Sequence, residues 1–291
     1  MFKETTKDIF ERGLLRPAYK MVNGRPVAMW EDTKSGKHFP QFVYGAARND
    51  LIKGVSEFYE DFLGPANAAS GSEAYGKVTY SIAGSTTFAQ LSINGGAARA
   101  ACAGDEGDAV GVFGPLAYEP DEAGRIVMQS RIRISDVSVS SVFVGFTDAD
   151  SDTVVIEDED GTLNTVATDA FGVLLEGEQD GTWQTVGVQN NTDNAQAAGT
   201  NLVSDLADAT WTTIFIEADA SNSGRYRVWV DGKIMTTANT GSGNNYGYTT
   251  SALRSSIVFT PCFLSVDDRA GAYTADICEA FATGGVGTSF D

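Results

Sequence analysis

Apolar and polar residues alternate with a period of two most clearly within residues 211–235. From 211 to 219, Ile214 and Ile216 fall on one side and Thr213, Phe215 and Glu217 on the other, the pattern of a strand with one buried face. A polar loop at 220–224 ends it. From 225 to 230, Tyr226, Val228 and Val230 face one way and Arg225, Arg227 and Trp229 the other. Asp231-Gly232 then supplies the two positive-φ positions of a tight hairpin turn into a returning strand at 233–237. Further strands are predicted at about 87–93, 98–103 and 109–113, the last two separated by an acidic turn at 104–107. In 125–148, Val127, Gln129, Arg131 and Arg133 alternate imperfectly with Ile126, Met128, Ile132 and Ile134. The run 142–146 reads as a buried strand. Residues 65–72 and 241–250 are polar loops, and 256–266 and 273–283 read as two long apolar strands. Helical periodicity and internal repeats are absent, so the pattern predicts an all-β body of about twelve strands in a two-sheet antiparallel sandwich.

The first fifty residues read differently. Thr5 and Asp8 form a weak capping pair, and Ile9, Phe10, Leu14 and Leu15 give the apolar face of a short helix that Gly13 and Pro17 interrupt. Residues 18–22 and 27–30 flank Asn23-Gly24, a strong hairpin signal, with Pro26 marking the second strand as an edge. Such a piece cannot close a core of its own. The expected organisation is an N-terminal arm over residues 1–54, with a short helix and a hairpin, followed by a sandwich over 55–291.

A length of 291 residues with 42% apolar content is enough for one large β-domain with an extension. The chain has no run of 18 apolar residues, and its N-terminus is charged where a signal peptide needs an apolar stretch; a soluble protein made in the cytoplasm is expected. Charge is uneven: up to Lys53 there are ten Lys/Arg against six Asp/Glu, and beyond it ten against thirty-three, giving the net −19. A field of that sign disfavours nucleic acid and anionic membrane as partners of the body. The basic leader either settles on an acidic neighbour or folds onto its own body. Cys102, Cys262 and Cys278 have no metal-ligand spacing and read as buried thiols, with a Cys262–Cys278 bridge as the alternative.

The run Trp211-x-x-Ile214-x-Ile216-Glu217-x-Asp219, a short loop, then Arg225-Tyr-x-Val-x-Val-Asp-Gly-Lys233 resembles the middle of domains in the concanavalin A-like lectin/glucanase superfamily. The aromatic-acidic stretch at 57–64 resembles their opening strand. That superfamily holds polysaccharide hydrolases, lectins and structural proteins of tailed-phage particles, so the resemblance implies a jelly-roll fold before any chemistry. The ordered series RIRISDVS from Arg131, VFVGFTD from Val142, DAFGVLLEG from Asp169 and WQTVGVQNNTD from Trp183 looks like the jelly-roll particle proteins of tailed phages.

Chemistry is sparse. Glucanases of this fold carry Glu-x-Asp-x-Glu on one strand, and neither Glu176-x-Glu178-x-Asp180 nor 157–160 reproduces that order; both read as solvated acidic turns. His38, the single histidine, lies in the arm, far from any nucleophile turn, so no catalytic residues are assigned. Asp148, Asp150, Asp152 and Glu159 match positions 1, 3, 5 and 12 of a calcium loop, but position 6 is Thr153 and residues 154–156 look like a strand; the alternative is an exposed acidic loop. Trp229, with Tyr246 and Tyr248 as a second wall, forms a candidate glycan platform, the alternative being that a loop or a neighbouring subunit covers it; Trp183 and Trp211 read as packing residues.

The expectation that follows from resemblance and charge is a virion structural protein, a capsid decoration or cement subunit without cofactors. Lys3, Lys7, Arg12, Arg16, Lys20, Arg25, Lys34 and Lys37 of the arm would dock the body on the major capsid protein or on sister subunits, with a trimer favoured. The alternative is a host-glycan-binding module of a fibre or spike, with surface polysaccharide as partner.

Overall fold

The computed structural model describes residues 15–22, 25–32, 38–40, 56–62, 73–75, 78–91, 96–105, 107–116, 118–119, 125–149, 154–159, 162–177, 183–193, 208–219, 225–234, 257–268 and 271–285. The chain divides into two compact units, Met1–Glu57 and Phe58–Asp291.

In the first unit β1 (Leu15–Val22), β2 (Arg25–Asp32) and β3 (His38–Pro40) form a three-stranded sheet in that order. Val22 pairs with Arg25, so a two-residue Asn23-Gly24 connection joins β1 to β2. The strands are longer than the sequence pattern predicts: Leu15 belongs to β1 rather than to a helix, and Pro17, expected to interrupt that helix, lies in the same strand. The remainder of that expected helix lies outside the described residues. β2 is the central strand, not an edge, which corrects the reading of Pro26. The physical point behind that reading survives. In such a hairpin the closing pair exchanges hydrogen bonds and the next pair does not. Pro26, paired with Met21, thus turns its imino nitrogen away from β1, on a stretch that β3 does not reach, since β3 pairs only with Met29, Trp30 and Glu31. Pro17, paired with Trp30, obeys the same parity on the open side of β1.

The second unit is the all-β, two-sheet antiparallel jelly-roll sandwich. Its strands are β4 (Ser56–Glu60), into which the boundary falls, β5 (Glu73–Tyr75), β6 (Val78–Ala83), β7 (Thr87–Gln90), β8 (Ala98–Ala101), β9 (Ala109–Phe113), β10 (Arg125–Ile134) and β11 (Ser140–Thr147). They continue with β12 (Ile156–Glu159), β13 (Thr162–Thr165), β14 (Ala170–Glu176), β15 (Trp183–Gln189), β16 (Thr192–Asp193), β17 (Trp211–Asp219), β18 (Arg225–Val230), β19 (Lys233–Ile234), β20 (Thr260–Asp268) and β21 (Thr274–Gly285). The first sheet runs β19-β18-β17-β10-β21-β8-β7, with β4 also pairing β21; the second runs β16-β15-β14-β11-β20-β9-β6-β5. Each sheet has eight strands, more than the sequence count, because pieces as short as β16 and β19 carry no periodicity of their own.

The alternation read from the sequence sets the inner face. Along β10, Ile126, Met128, Ser130, Ile132 and Ile134 are buried while the residues between them are half-buried. Between the sheets they meet Val142, Val144, Phe146, Phe171, Val173 and Val266. Three buried hydroxyls tie the layers together. Tyr226 Oη donates toward Gly172 O (3.2 Å) and Val186 O (2.8 Å), Tyr273 Oη toward Ser141 O (3.0 Å) and Asp267 O (2.8 Å), and Ser130 Oγ to Phe263 O (2.7 Å).

A second apolar cluster lies on the other face of the second sheet, where Phe143, Leu174, Val186, Val188 and Cys262 pack with Val155 and Ile156 at the entry to the β12–β13 hairpin. This is why β11 and β14 are buried along their whole length. All three cysteines are free thiols; Cys102 and Cys262 are buried and Cys278 half-buried, and Cys262 and Cys278 lie on strands of different sheets. Burial pushes the Cys262 thiol well above its ordinary range.

Candidate functional site

The outer face of the first sheet is the surface on which chemistry gathers. Its side chains fall into rows because cross-strand partners share a face. One row is Trp229–Phe215–Gln129–Phe281, in direct register across β18, β17, β10 and β21. The next is Thr213–Arg131–Glu279, and the one beyond it Trp211–Arg133–Asp276–Arg99. On the other side of the aromatic row, Arg227 pairs with Glu217 and Glu217 with Val127. A β-bulge at Cys278 shifts the register between Arg131 and Ile132, so that Asp276 and Glu279, three apart in sequence, both face outward.

Each row has its own electrostatics. Trp229 and Phe215 are half-buried and meet edge to face, with centroids 5.2 Å apart at 67°. Phe281, at the other end of that row, is buried, so the accessible part is the Trp229–Phe215 end. Gln129 Nε2 donates to Glu279 Oε1 at 2.9 Å. Burial raises the Glu279 carboxyl, and the Gln129 hydrogen bond works against that. Tyr59, on β4 and 37% exposed, has its phenol raised to about 12, first by burial and then by the charge of Glu279.

In the outermost row Asp276 is buried and accepts from two arginines. Arg99 Nε reaches Oδ1 at 2.6 Å and Arg133 Nε reaches Oδ2 at 2.9 Å. The Asp276 bond holds Arg99 still more firmly in its charged form. The guanidinium groups of Arg133 and Arg131 lie over the Trp211 ring, 4.9 and 5.6 Å from its centroid. Trp211 is therefore an outer-face residue and not the packing residue expected from the sequence; its odd position in the β17 alternation puts it with Thr213 and Phe215. Trp183 does pack as expected, fully buried in the core.

The other sequence candidates are scattered. Tyr246 and Tyr248, the expected second glycan wall, lie outside the described residues, as do Asp150, Asp152, Glu178 and Asp180. Asp148 sits just after β11, donating its N–H to Asp169 O at 2.9 Å, and Glu159 ends β12 opposite Thr162. The last four positions of the calcium-loop pattern are thus a paired strand. Glu157 to Glu159 belong to that strand rather than to a solvated turn, while Asp160 lies outside the described residues. Among the described residues no group of three or more His, Cys, Asp or Glu is placed to hold a metal ion. Glu176 is not a solvated turn residue: it is buried at the end of β14, against the short 3-10 turn Val137–Val139, where Gly177 N–H donates to Ser140 O at 2.8 Å. Of the arm cations, Arg16 and Lys20 lie in β1 and Arg25 in β2, paired with Glu31, Val27 and Val22. Lys3, Lys7, Arg12, Lys34 and Lys37 lie outside the described residues, and His38 opens β3.

Sequence reasoning singled out Trp229 and missed its neighbours. The alternation in β10 already places Gln129, Arg131 and Arg133 on one face, but the strands beside them are not written in the pattern.

Fold and face together define a β-sandwich with an aromatic and arginine-rich outer sheet. No protein-family model and no curated protein sequence matches the chain. Among solved structures it is similar to the Emp47p carbohydrate recognition domain, at 12% identity over 72% of this chain and 90% of that one, with a TM-score of 0.47. It is similar to a Shewanella oneidensis MR-1 protein of unknown function, at 12% identity over 84% and 95%, with a TM-score of 0.49. A third is a carbohydrate esterase from the Shiga toxin-encoding bacteriophage phi24B, at 18% identity over 71% and 90%, with a TM-score of 0.41.

Proposed function

We propose that the protein is a carbohydrate-binding adhesion subunit that holds a polysaccharide and turns nothing over. The observation that supports this reading is the half-buried Trp229–Phe215 pair, set in a grid of side chains whose polar members are fixed by Gln129–Glu279 and Arg–Asp276 bonds. Aromatic faces take the apolar C–H faces of sugars, and polar groups already held in place fix orientation with little ordering cost. Surface polysaccharide of a bacterial host is the partner that fits a phage adhesion role. Screening the isolated protein against bacterial polysaccharides tests it: binding is expected, with Trp229→Ala weakening it at least about tenfold. A screen without a bound polysaccharide overturns the reading.

A second reading, a capsid decoration or cement subunit, is favoured by the charge layout, a basic leader before a strongly acidic body. Here the arm cations dock on the major capsid protein or on sister subunits, in a trimer. Removing residues 1–50 is expected to release the protein from purified capsids; full retention of the truncated chain removes the arm from this account.

A further inference from the structure

Resting on the polysaccharide reading, we infer that the outer face of the first sheet selects acidic polysaccharides, with Arg131 over Trp211 receiving a sugar carboxylate. Beyond Lys53 the chain has only ten Lys/Arg against thirty-three Asp/Glu, yet Arg99, Arg131, Arg133 and Arg227 all stand on this one face. Among the described side chains of these rows, the carboxylates against them are Glu217, Asp276 and Glu279. Glu217 is the in-register neighbour of Arg227. Asp276 is shared by Arg99 and Arg133, so that trio retains one positive charge. Arg131 is half-buried and has no carboxylate hydrogen-bonded to it among the described residues. Its register neighbour Glu279 instead accepts from Gln129.

Geometry joins this charge to the aromatic platform. Arg131 and Gln129 are alternate residues of β10, about 7 Å apart on one face, and Phe215 is the register partner of Gln129. A sugar ring on Trp229–Phe215 therefore lies one residue row from the backbone position of Arg131. The guanidinium lies 5.6 Å from the Trp211 ring centroid, and a guanidinium carries paired N–H donors whose spacing matches a carboxylate. At about 0.15 M salt the Debye length is about 8 Å, so these local charges outweigh the net charge of the rest of the body.

An acidic surface of a second copy would meet the same arginines. A stable protein interface needs about 800 Å² per partner around an apolar centre. The exposed large apolar side chains among the described residues are Tyr59, Leu116, Val166 and Val258, and none of them belongs to the Trp229–Phe215 end of the face. A narrow aromatic pair beside a cation suits a polymer of acidic sugars better.

Polygalacturonate and its fully methyl-esterified form differ at the carboxylate alone and serve as probes at about 0.15 M salt. The wild-type protein is expected to prefer the acid form about tenfold, the effect of one charge-assisted hydrogen bond. Arg131→Gln brings that preference close to one, Arg131→Lys retains part of it, and Trp229→Ala weakens both forms. Melting curves of each variant establish that it is folded. Equal binding of acid and ester by wild type overturns the carboxylate inference while leaving the polysaccharide reading in place. No binding of these or any other polysaccharide overturns both. Sedimentation in which Arg131→Gln breaks an oligomer, with no polysaccharide bound, reassigns the face to contact between copies.

Discussion

Ser130 interrupts the apolar face of β10, and the reason lies on the other sheet. Phe263 is the extra residue of a bulge in β20, skipped in the pairing with both β11 and β9. A bulged residue loses its place in the ladder, and the Ser130 hydroxyl donates to the Phe263 carbonyl. Ser130→Ala is expected to lower unfolding stability by about 1–3 kcal/mol, the cost of a buried acceptor losing its donor, measured by urea denaturation. Tyr226→Phe removes the donor shared by Gly172 O and Val186 O and should cost about 1 kcal/mol in the same assay. Glu279 works through pH. Burial raises its carboxyl in the folded state, so folding binds a proton that the unfolded chain has already released, and stability is lost as pH rises through the folded value. Glu279→Gln cannot ionise. Its melting temperature should exceed that of wild type near pH 7, and the difference should vanish at about pH 3, well below the unfolded pKa, where both states of wild type are protonated.

At the scale of elements, pairing partners decide what each strand can tolerate. Gly145 and Gly172 are register partners on β11 and β14, and the Phe143 ring lies against both. A Cβ on Gly145 would stand 2.2 Å from Phe171 O and 2.6 Å from Phe143 Cζ. Gly145→Ala is therefore expected to destabilise by more than about 2 kcal/mol, because both obstacles are fixed by the ladder and the core; a guanidinium chloride midpoint measures it. The β18–β19 hairpin is built as its residues require. Asp231 and Gly232 have φ of 49° and 77°, and the Asp231 carboxylate accepts Thr213 N–H at 2.8 Å, anchoring the turn to β17. Turn type and alternation were legible here because both depend on residues close in sequence. The bulge at Cys278 was not, since it appears only against β10.

For the whole molecule, opposite charge and separate compactness coincide. The basic leader, up to Lys53, lies in the unit Met1–Glu57, and the acidic remainder forms the sandwich. If the leader docks on an acidic neighbour, raising salt from about 0.05 to 0.5 M should release intact protein from capsids, since the Debye length falls more than threefold over that range; co-sedimentation measures this. A polysaccharide contact through Trp229 and Phe215 should survive the same change.

The sequence by itself determined the all-β class, the inward face of β10, β17 and β18, the Asp231-Gly232 turn and the uneven charge. Each follows from side chains at fixed spacing along one strand, where a period of two or a short turn dictates conformation locally. Only the tertiary structure decided which strands are neighbours, and with that what the outer face contains. Arg99, Arg131, Asp276 and Trp211 are spread over more than 170 positions of the chain, and pairing in the sheet brings them into adjoining rows. The same pairing puts Trp211 on the outer face beneath two arginines and buries Glu176, because exposure belongs to the packed sheet and not to the residue type.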